Sequence, residues 1–199
     1  MHLTGSSLLS VACTAILAQN LIFVWMLCSN DYFKAVNNKI SGYIYGAGVT
    51  IFTTLASALA YPLNRYLLMQ FNLKFLAPFA FVLVLCFLEV LLELLLLKFA
   101  TAFRKGLGKL LPASAFNCAV LGLIFINVQT GTRGFFGTVF YGFCAGLGFM
   151  LAFLVISQAL ERAATSSPPA AFRGLPIALV TASIISLGFT GFLSILIPY

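Results

Sequence analysis

Charge is what this sequence has least of: of 199 residues only 8% are charged, and just four of those are acidic, whereas a soluble domain carries roughly a quarter. With 62% of the residues hydrophobic, no water-soluble core could hide the apolar surface that remains. Histidine is almost missing as well. The single His2 is terminal, so neither a Ser-His-Asp constellation nor a His-metal site can be assembled, and hydrolase and zinc-enzyme chemistry lack their parts. The five cysteines, at 13, 28, 86, 118 and 144, include no CxxC pair and fall within or at the ends of apolar stretches, which excludes a secreted disulfide framework. Met1-His2-Leu3-Thr4-Gly5 has neither the basic region nor the small-residue cleavage site of a secretory signal, so the first apolar stretch is expected to be retained. Long polar linkers and low-complexity tracts are also lacking, and the chain is expected to be a single membrane domain over 1–199.

Apolar stretches dominate instead: Leu8 to Cys28, Tyr43 to Leu68, Phe75 to Leu97, Leu110 to Val128, Phe135 to Leu160, and Leu175 to Ile197. Each is near the roughly 20 residues a helix needs to cross the hydrocarbon. The pattern predicts an all-α integral membrane protein of about six transmembrane helices. The net charge of +7 sits between these stretches, where cations set orientation rather than bind nucleic acid. The first, third and fifth connections hold Lys34, Lys39, Lys98, Arg104, Lys105, Lys109, Arg162 and Arg173, against Arg65, Lys74 and Arg133 in the other two. This asymmetry places the odd connections in the cytoplasm and both termini on the outer side.

The two halves of the chain resemble each other. Asn20 and Asn30 frame the end of the first stretch as Asn117 and Asn127 frame the fourth; Tyr45-Gly46 opens the second and Tyr141-Gly142 the fifth; Pro78 lies early in the third and Pro176 early in the sixth, all at offsets of 96 to 98 residues. A nearly constant offset argues for duplication, with repeat one over about 6–98 and repeat two over about 110–198. Because each unit has an odd number of spans, the copies must lie inverted in the bilayer. Inverted repeats commonly build a site near the midplane from broken helices. The first and fourth helices are the expected broken ones, at Gln19-Asn20 and at Pro112, Ser114 and Asn117.

Few side chains could carry chemistry in such a frame. Cys28 and Cys118 each lie in an interrupted stretch beside polar residues, and Cys28 stands six residues before Lys34 while Cys118 stands nine after Lys109. At the helical rise those are depths of roughly 9 and 13 Å below the cytoplasmic cations. The two thiols would therefore come to similar depth and could anchor half of an iron–sulfur cluster, which usually takes four cysteines. The alternative is two small buried residues, the ordinary fate of cysteine in an apolar helix. Glu89 and Glu93 share one face of the third helix, four residues apart. A carboxyl at membrane depth is a candidate for an ion or proton path, whereas Glu93, five residues from Lys98, can snorkel to the surface. Gly46, Gly48, Gly142, Gly146 and Gly148 fit close helix packing.

Several of these segments are also familiar as motifs. Leu111-Pro112, Phe116-Asn117-Cys118-Ala119-Val120-Leu121-Gly122, Tyr141-Gly142-Phe143, Glu161-Arg162, and Pro169-Ala170-Ala171-Phe172-Arg173-Gly174 with Ile177-Ala178-Leu179-Val180-Thr181-Ala182 resemble the family formed by the A and E subunits of the Rnf electron-transport complex and the D and E subunits of the sodium-pumping NADH:quinone reductase. The resemblance runs over essentially the whole chain, and the Phe-Arg-Gly segment leans toward its Rnf A-type members. Around the first cysteine, Met26-Leu27-Cys28-Ser29 departs from the family's Leu-Gly before the cysteine and Pro or Thr after it. The resemblance implies an inverted-repeat subunit of a prokaryotic inner-membrane, ion-translocating ferredoxin:NAD oxidoreductase, not catalytic alone. It implies a homologous E-like partner of opposite topology, other subunits carrying flavin and iron–sulfur centres, and a [2Fe–2S] cluster shared between the homologues, with Cys28 and Cys118 as this chain's iron ligands. Glu89 falls where the family also carries a Glu. A small secondary transporter or permease component without a redox role is the alternative that the same frame allows.

Overall fold

The structure of the chain, a computed structural model, describes residues 11–25, 39–99, 110–130, 134–165, 169 and 175–196. Every regular element among them is helical. A π-helical segment, Thr14–Ala18, is followed by α1 (Lys39–Pro62), which continues as a second π-helical segment, Leu63–Leu68. A 3₁₀ turn at Lys74–Leu76 leads into α2 (Ala77–Phe99), and α3 (Leu110–Ala115), α4 (Cys118–Thr130), α5 (Phe135–Thr165) and α6 (Leu175–Leu196) complete the order.

Three described stretches are long and apolar enough to cross a bilayer: Tyr43–Leu68, Ala77–Leu95 and Phe135–Arg162, of 26, 19 and 28 residues. They coincide with the second, third and fifth stretches expected from hydropathy. Cys118–Asn127 and Leu179–Gly191 are shorter apolar helices. The fourth expected stretch is divided, since α3 ends at Ala115 and α4 begins at Cys118. Cys28, Asn30 and most of the first, third and fifth connections lie outside the described residues.

Local chemistry explains where the helices change. Pro62 has no N–H to give the preceding turn, and the backbone widens into the π-helical Leu63–Leu68 directly after it, with Met69 N–H on Asn64 O at 2.9 Å. That helix then stops at Asn72, whose φ of 54° is left-handed. Leu73 N–H reaches Leu68 O at 2.9 Å and Asn72 N–H reaches Met69 O at 3.4 Å, the paired bonds of a Schellman C-cap. Leu68 is buried and Leu73 packs against the core, the apolar contact that accompanies this cap.

The core lies between α1 and α5. A methyl group placed on Gly46 would lie 2.8 Å from Met150 Cγ, on Gly146 2.7 Å from Thr50 Cα, and on Gly142 2.8 Å from Ser57 Cβ. Contact positions descend along α5 as they climb along α1, so the two helices are antiparallel, and glycine facing serine and threonine lets their backbones approach closely. Between Tyr43 and Ala60 the exposed residues of α1 are Tyr43, Ala47, Ile51, Leu55 and Leu59, and between Tyr141 and Ile156 those of α5 are Phe143, Leu147, Leu151 and Val155. The stripes correspond at an offset of 96, Ala47 with Phe143 through Leu59 with Val155.

The remaining helices lean on this pair. α2 applies Phe81, Leu85 and Leu88, with Leu92 partly buried below them, a helical stripe of one apolar face. α6 packs Ala182, Ile185 and Phe189 against the core, the positions 97 after Leu85, Leu88 and Leu92. α2 contacts α1 and α3, whereas α6 contacts α5 and the π-helical segment Thr14–Ala18.

Candidate functional site

The functional geometry centres on two breaks. In the first, the π-helical segment ends at Gln19, whose N–H returns to Thr14 O, and Asn20 is buried at 1% exposure. Asn20 Oδ1 accepts the N–H groups of Ile22 and Phe23 at 3.0 and 3.2 Å, while its Nδ2 donates to Ile16 O and to Gly148 O on α5, both at 2.9 Å. One amide therefore caps the chain after the break and ties the chain before it to the facing helix. Gln19 Oε1 accepts the hydroxyl of Tyr141, from α5. Phe23 O, freed by the irregular backbone, accepts the hydroxyl of Ser186 from α6.

The second break repeats the logic. Asn117 is fully buried. Its Oδ1 accepts Ala119 N–H at 3.0 Å, its backbone oxygen accepts Val120 N–H at 3.0 Å, and its Nδ2 donates to the Tyr45 hydroxyl of α1 at 2.9 Å. In an apolar surrounding every freed backbone group needs such a partner. An asparagine at each break supplies several, which is why the chain can interrupt two helices there. The two asparagines are 97 residues apart and the two tyrosines 96.

Cys118 opens α4 directly after the second break. Its side chain is exposed on the outside of the chain, and Sγ lies 3.6 Å from Asn117 Oδ1, to which the thiol donates. Phe116, on the other side of Asn117, is also exposed. The thiol thus sits at the first position of a 13-residue helix. Among the described residues no three His, Cys, Asp or Glu side chains converge as a metal group. Cys13 is exposed, Cys86 half-buried and Cys144 buried, each free.

Glu89 lies well inside α2, half-buried beside the core stripe, one residue from buried Leu88 and one turn from Leu85. Glu93, a turn farther along, is exposed. The structure also supplies residues that sequence reasoning treated only as repeat markers: Tyr45 and Tyr141, one from each half, hold the breaks through their hydroxyls. Their constant offset was the signal available, but the partner across the fold was not.

The sequence carries this arrangement into a known group of proteins. Residues 8–196 match the Rnf-Nqr subunit, membrane protein, family. The chain belongs to that family. Among curated relatives, the A subunit of the ion-translocating oxidoreductase complex of Aromatoleum aromaticum is 37% identical over 191 residues, covering 96% of each chain. The A subunit of the same complex in Shewanella piezotolerans is 38% identical over 161 residues, 80% of this chain and 83% of the relative, and that of Colwellia psychrerythraea is 37% identical over 161 residues with the same coverage. Within the Rnf-Nqr match lie both breaks, Cys28, Cys118 and Glu89.

Proposed function

We propose that this Rnf-Nqr chain is the A-type membrane subunit of an ion-translocating ferredoxin:NAD oxidoreductase, and that Cys28 and Cys118 are its ligands to a [2Fe–2S] cluster shared with a homologous E-like partner. Membership of the family and the names borne by the A-type relatives support the complex. The observation that carries the ligand role is the placement of Cys118: an exposed thiol at a helix start, directly after a buried break. The residues fit the group, since cysteine sulfur is the donor iron–sulfur clusters take and Cys118 presents it at the outside of the chain. An exposed position lets a second chain bring the remaining ligands. Cys28 lies outside the described residues, and its role rests on the family resemblance.

A [2Fe–2S] cluster supplies one-electron transfer at a potential set by ligation, hydrogen bonding and burial. The chain's own work is to hold a sulfur still at the break, to cap the freed N–H groups around it through Asn117, and to keep water away with the apolar helices on either side. No general acid or base is needed.

The frame of this reading is six spans in two inverted repeats. It is supported by the antiparallel α1–α5 pair, by outward stripes matching at an offset of 96, and by the two asparagine-capped breaks 97 residues apart. With the cation asymmetry of the connections, both termini lie on the outer face of the prokaryotic inner membrane. The cysteines do not follow the repeat. At that offset Cys118 corresponds to Leu21 and Cys28 to Phe125, so the ligand pair is a feature added to the symmetry. Glu89, partly buried near the middle of α2, is the candidate for the ion path.

The discontinuous helices and Glu89 are equally suited to a permease component without redox role, and one experiment separates the two. The complex is purified with its partners and its iron content and electron paramagnetic resonance recorded. The proposal expects a [2Fe–2S] signal that Cys118→Ala abolishes while the complex still assembles. A complex without iron, or a signal that survives Cys118→Ala, refutes it.

A further inference from the structure

We infer that Tyr45 is a positioning residue for the Cys118 thiol, acting through the amide of Asn117. The orientation of that amide is fixed by chemistry. Ala119 N–H can only donate, so the atom facing it at 3.0 Å is Oδ1, and Nδ2 must then point the other way. There it meets the Tyr45 hydroxyl oxygen at 2.9 Å, across 72 residues of sequence and with both residues at or below 1% exposure. The same Oδ1 is the acceptor of the Cys118 thiol at 3.6 Å. One rigid amide thus links a ring in the centre of the fold to a sulfur at its surface.

Tyr45 is well suited to this because its ring is buried and packed on two phenylalanines of a neighbouring helix. Its ring packs against Phe153 and Phe149, with centroids at 5.3 and 6.3 Å, and both belong to α5. The hydroxyl therefore reports the position of the α1–α5 pair to the start of α4. The matching device in the other half, Tyr141 on Gln19 Oε1, has no cysteine beside its break. Leu21 stands at the position corresponding to Cys118, and it is buried. The pair of tyrosines is shared by both halves, and among the described residues it is the Tyr45 partner, Asn117, that also holds a thiol.

Removing the Tyr45 hydroxyl leaves Asn117 Nδ2 without this acceptor and lets the amide turn, which takes Oδ1 away from the sulfur. The test has two arms. In membranes holding the full chain without partners, the rate at which N-ethylmaleimide modifies Cys118 is followed by peptide mass. Tyr45→Phe is expected to raise that rate about fivefold, what one lost hydrogen bond is worth as an equilibrium constant, and Tyr141→Phe to leave it unchanged. Should Tyr45→Phe fail to accumulate, Asn117→Ser serves instead: it keeps a capping oxygen for Ala119 but lacks the Nδ2 group that donates to Tyr45, and the same rise is expected. An unchanged rate in the accumulating variant, or an equal rise with Tyr141→Phe, overturns the inference.

The second arm rests on Cys118 being a cluster ligand. In the purified complex Tyr45→Phe is then expected to shift the g values or midpoint potential of the [2Fe–2S] signal with the composition of the complex intact, which a purely structural role would not do. A signal identical to wild type counts against positioning. If Cys118→Ala leaves the signal in place, the ligand reading fails, and the alkylation arm still decides whether Tyr45 positions the thiol.

Discussion

Gly146 offers the sharpest test of the α1–α5 packing. A methyl group there would lie 2.6 Å from Thr53 Oγ1, 2.7 Å from Thr50 Cα and 3.0 Å from Thr50 Cγ2. The middle distance decides the outcome, because Thr50 Cα is backbone and cannot rotate away. Relief to an ordinary contact near 3.5–4.0 Å requires the helices to separate locally by about 1 Å. Overpacking of this kind costs about 1–3 kcal/mol. Alanine is also a better helix former than glycine by about 1 kcal/mol, which would mask part of that cost, so the comparison needs an internal control. Gly188 in α6 has nothing within 4 Å of its methyl position, and Gly188→Ala gains the same propensity without the clash. The difference between Gly146→Ala and Gly188→Ala then isolates the packing: about 1–3 kcal/mol, or about 2–12 °C in Tm for a chain of this size. Thermal denaturation of the two variants in one detergent, followed by loss of soluble monodisperse protein, measures it. Equal melting temperatures would refute the close antiparallel contact.

Other outcomes follow from the breaks and the half-buried carboxyl of Glu89. Asn20→Ala removes the cap on Ile22 and Phe23 and the ties to Ile16 and Gly148, and with several buried groups unsatisfied it should cost about 2–4 kcal/mol, read as a lower Tm. Glu89→Gln should slow ion translocation by about tenfold or more while the chain still inserts, whereas Glu93→Gln, at an exposed position, should change it little; vesicle transport assays with the purified complex check both, and equal effects would remove Glu89 from the ion path. Alkaline phosphatase fused to either terminus should be active and green fluorescent protein fused there dark, because both ends are expected outside; the reverse pattern at either end would break the six-span frame.

The membrane class was legible from composition, since so little charge excludes a water-soluble fold. Three spans could be bounded almost to the residue, because long apolar runs and the lipid thickness impose the same length. The fourth stretch was harder. Hydropathy averages over a window and sees one apolar run from 110 to 128, whereas the backbone turns at Phe116-Asn117 and starts again at Cys118. Only Pro112, Ser114 and Asn117 within the run hinted at the break. Along the first stretch Gln19-Asn20 did the same.

The repeat offset, the candidate thiols and the in-span carboxyls were written in the order of residues, where periodicity and polarity against an apolar background make them visible. What the order could not contain is which groups meet. Tyr45 reaches Asn117 across 72 residues, Tyr141 reaches Gln19 across 122, and Asn20 reaches Gly148 across 128. Each pairing joins one half's second helix to the other half's break. Such contacts depend on two helices approaching from opposite directions, and the glycines that permit that approach look in sequence like any other small residues. Residue order dictated that the helices would break and which thiol would stand at a break. Packing chose what holds each break closed, because a buried amide takes its partner from whatever helix lies across from it.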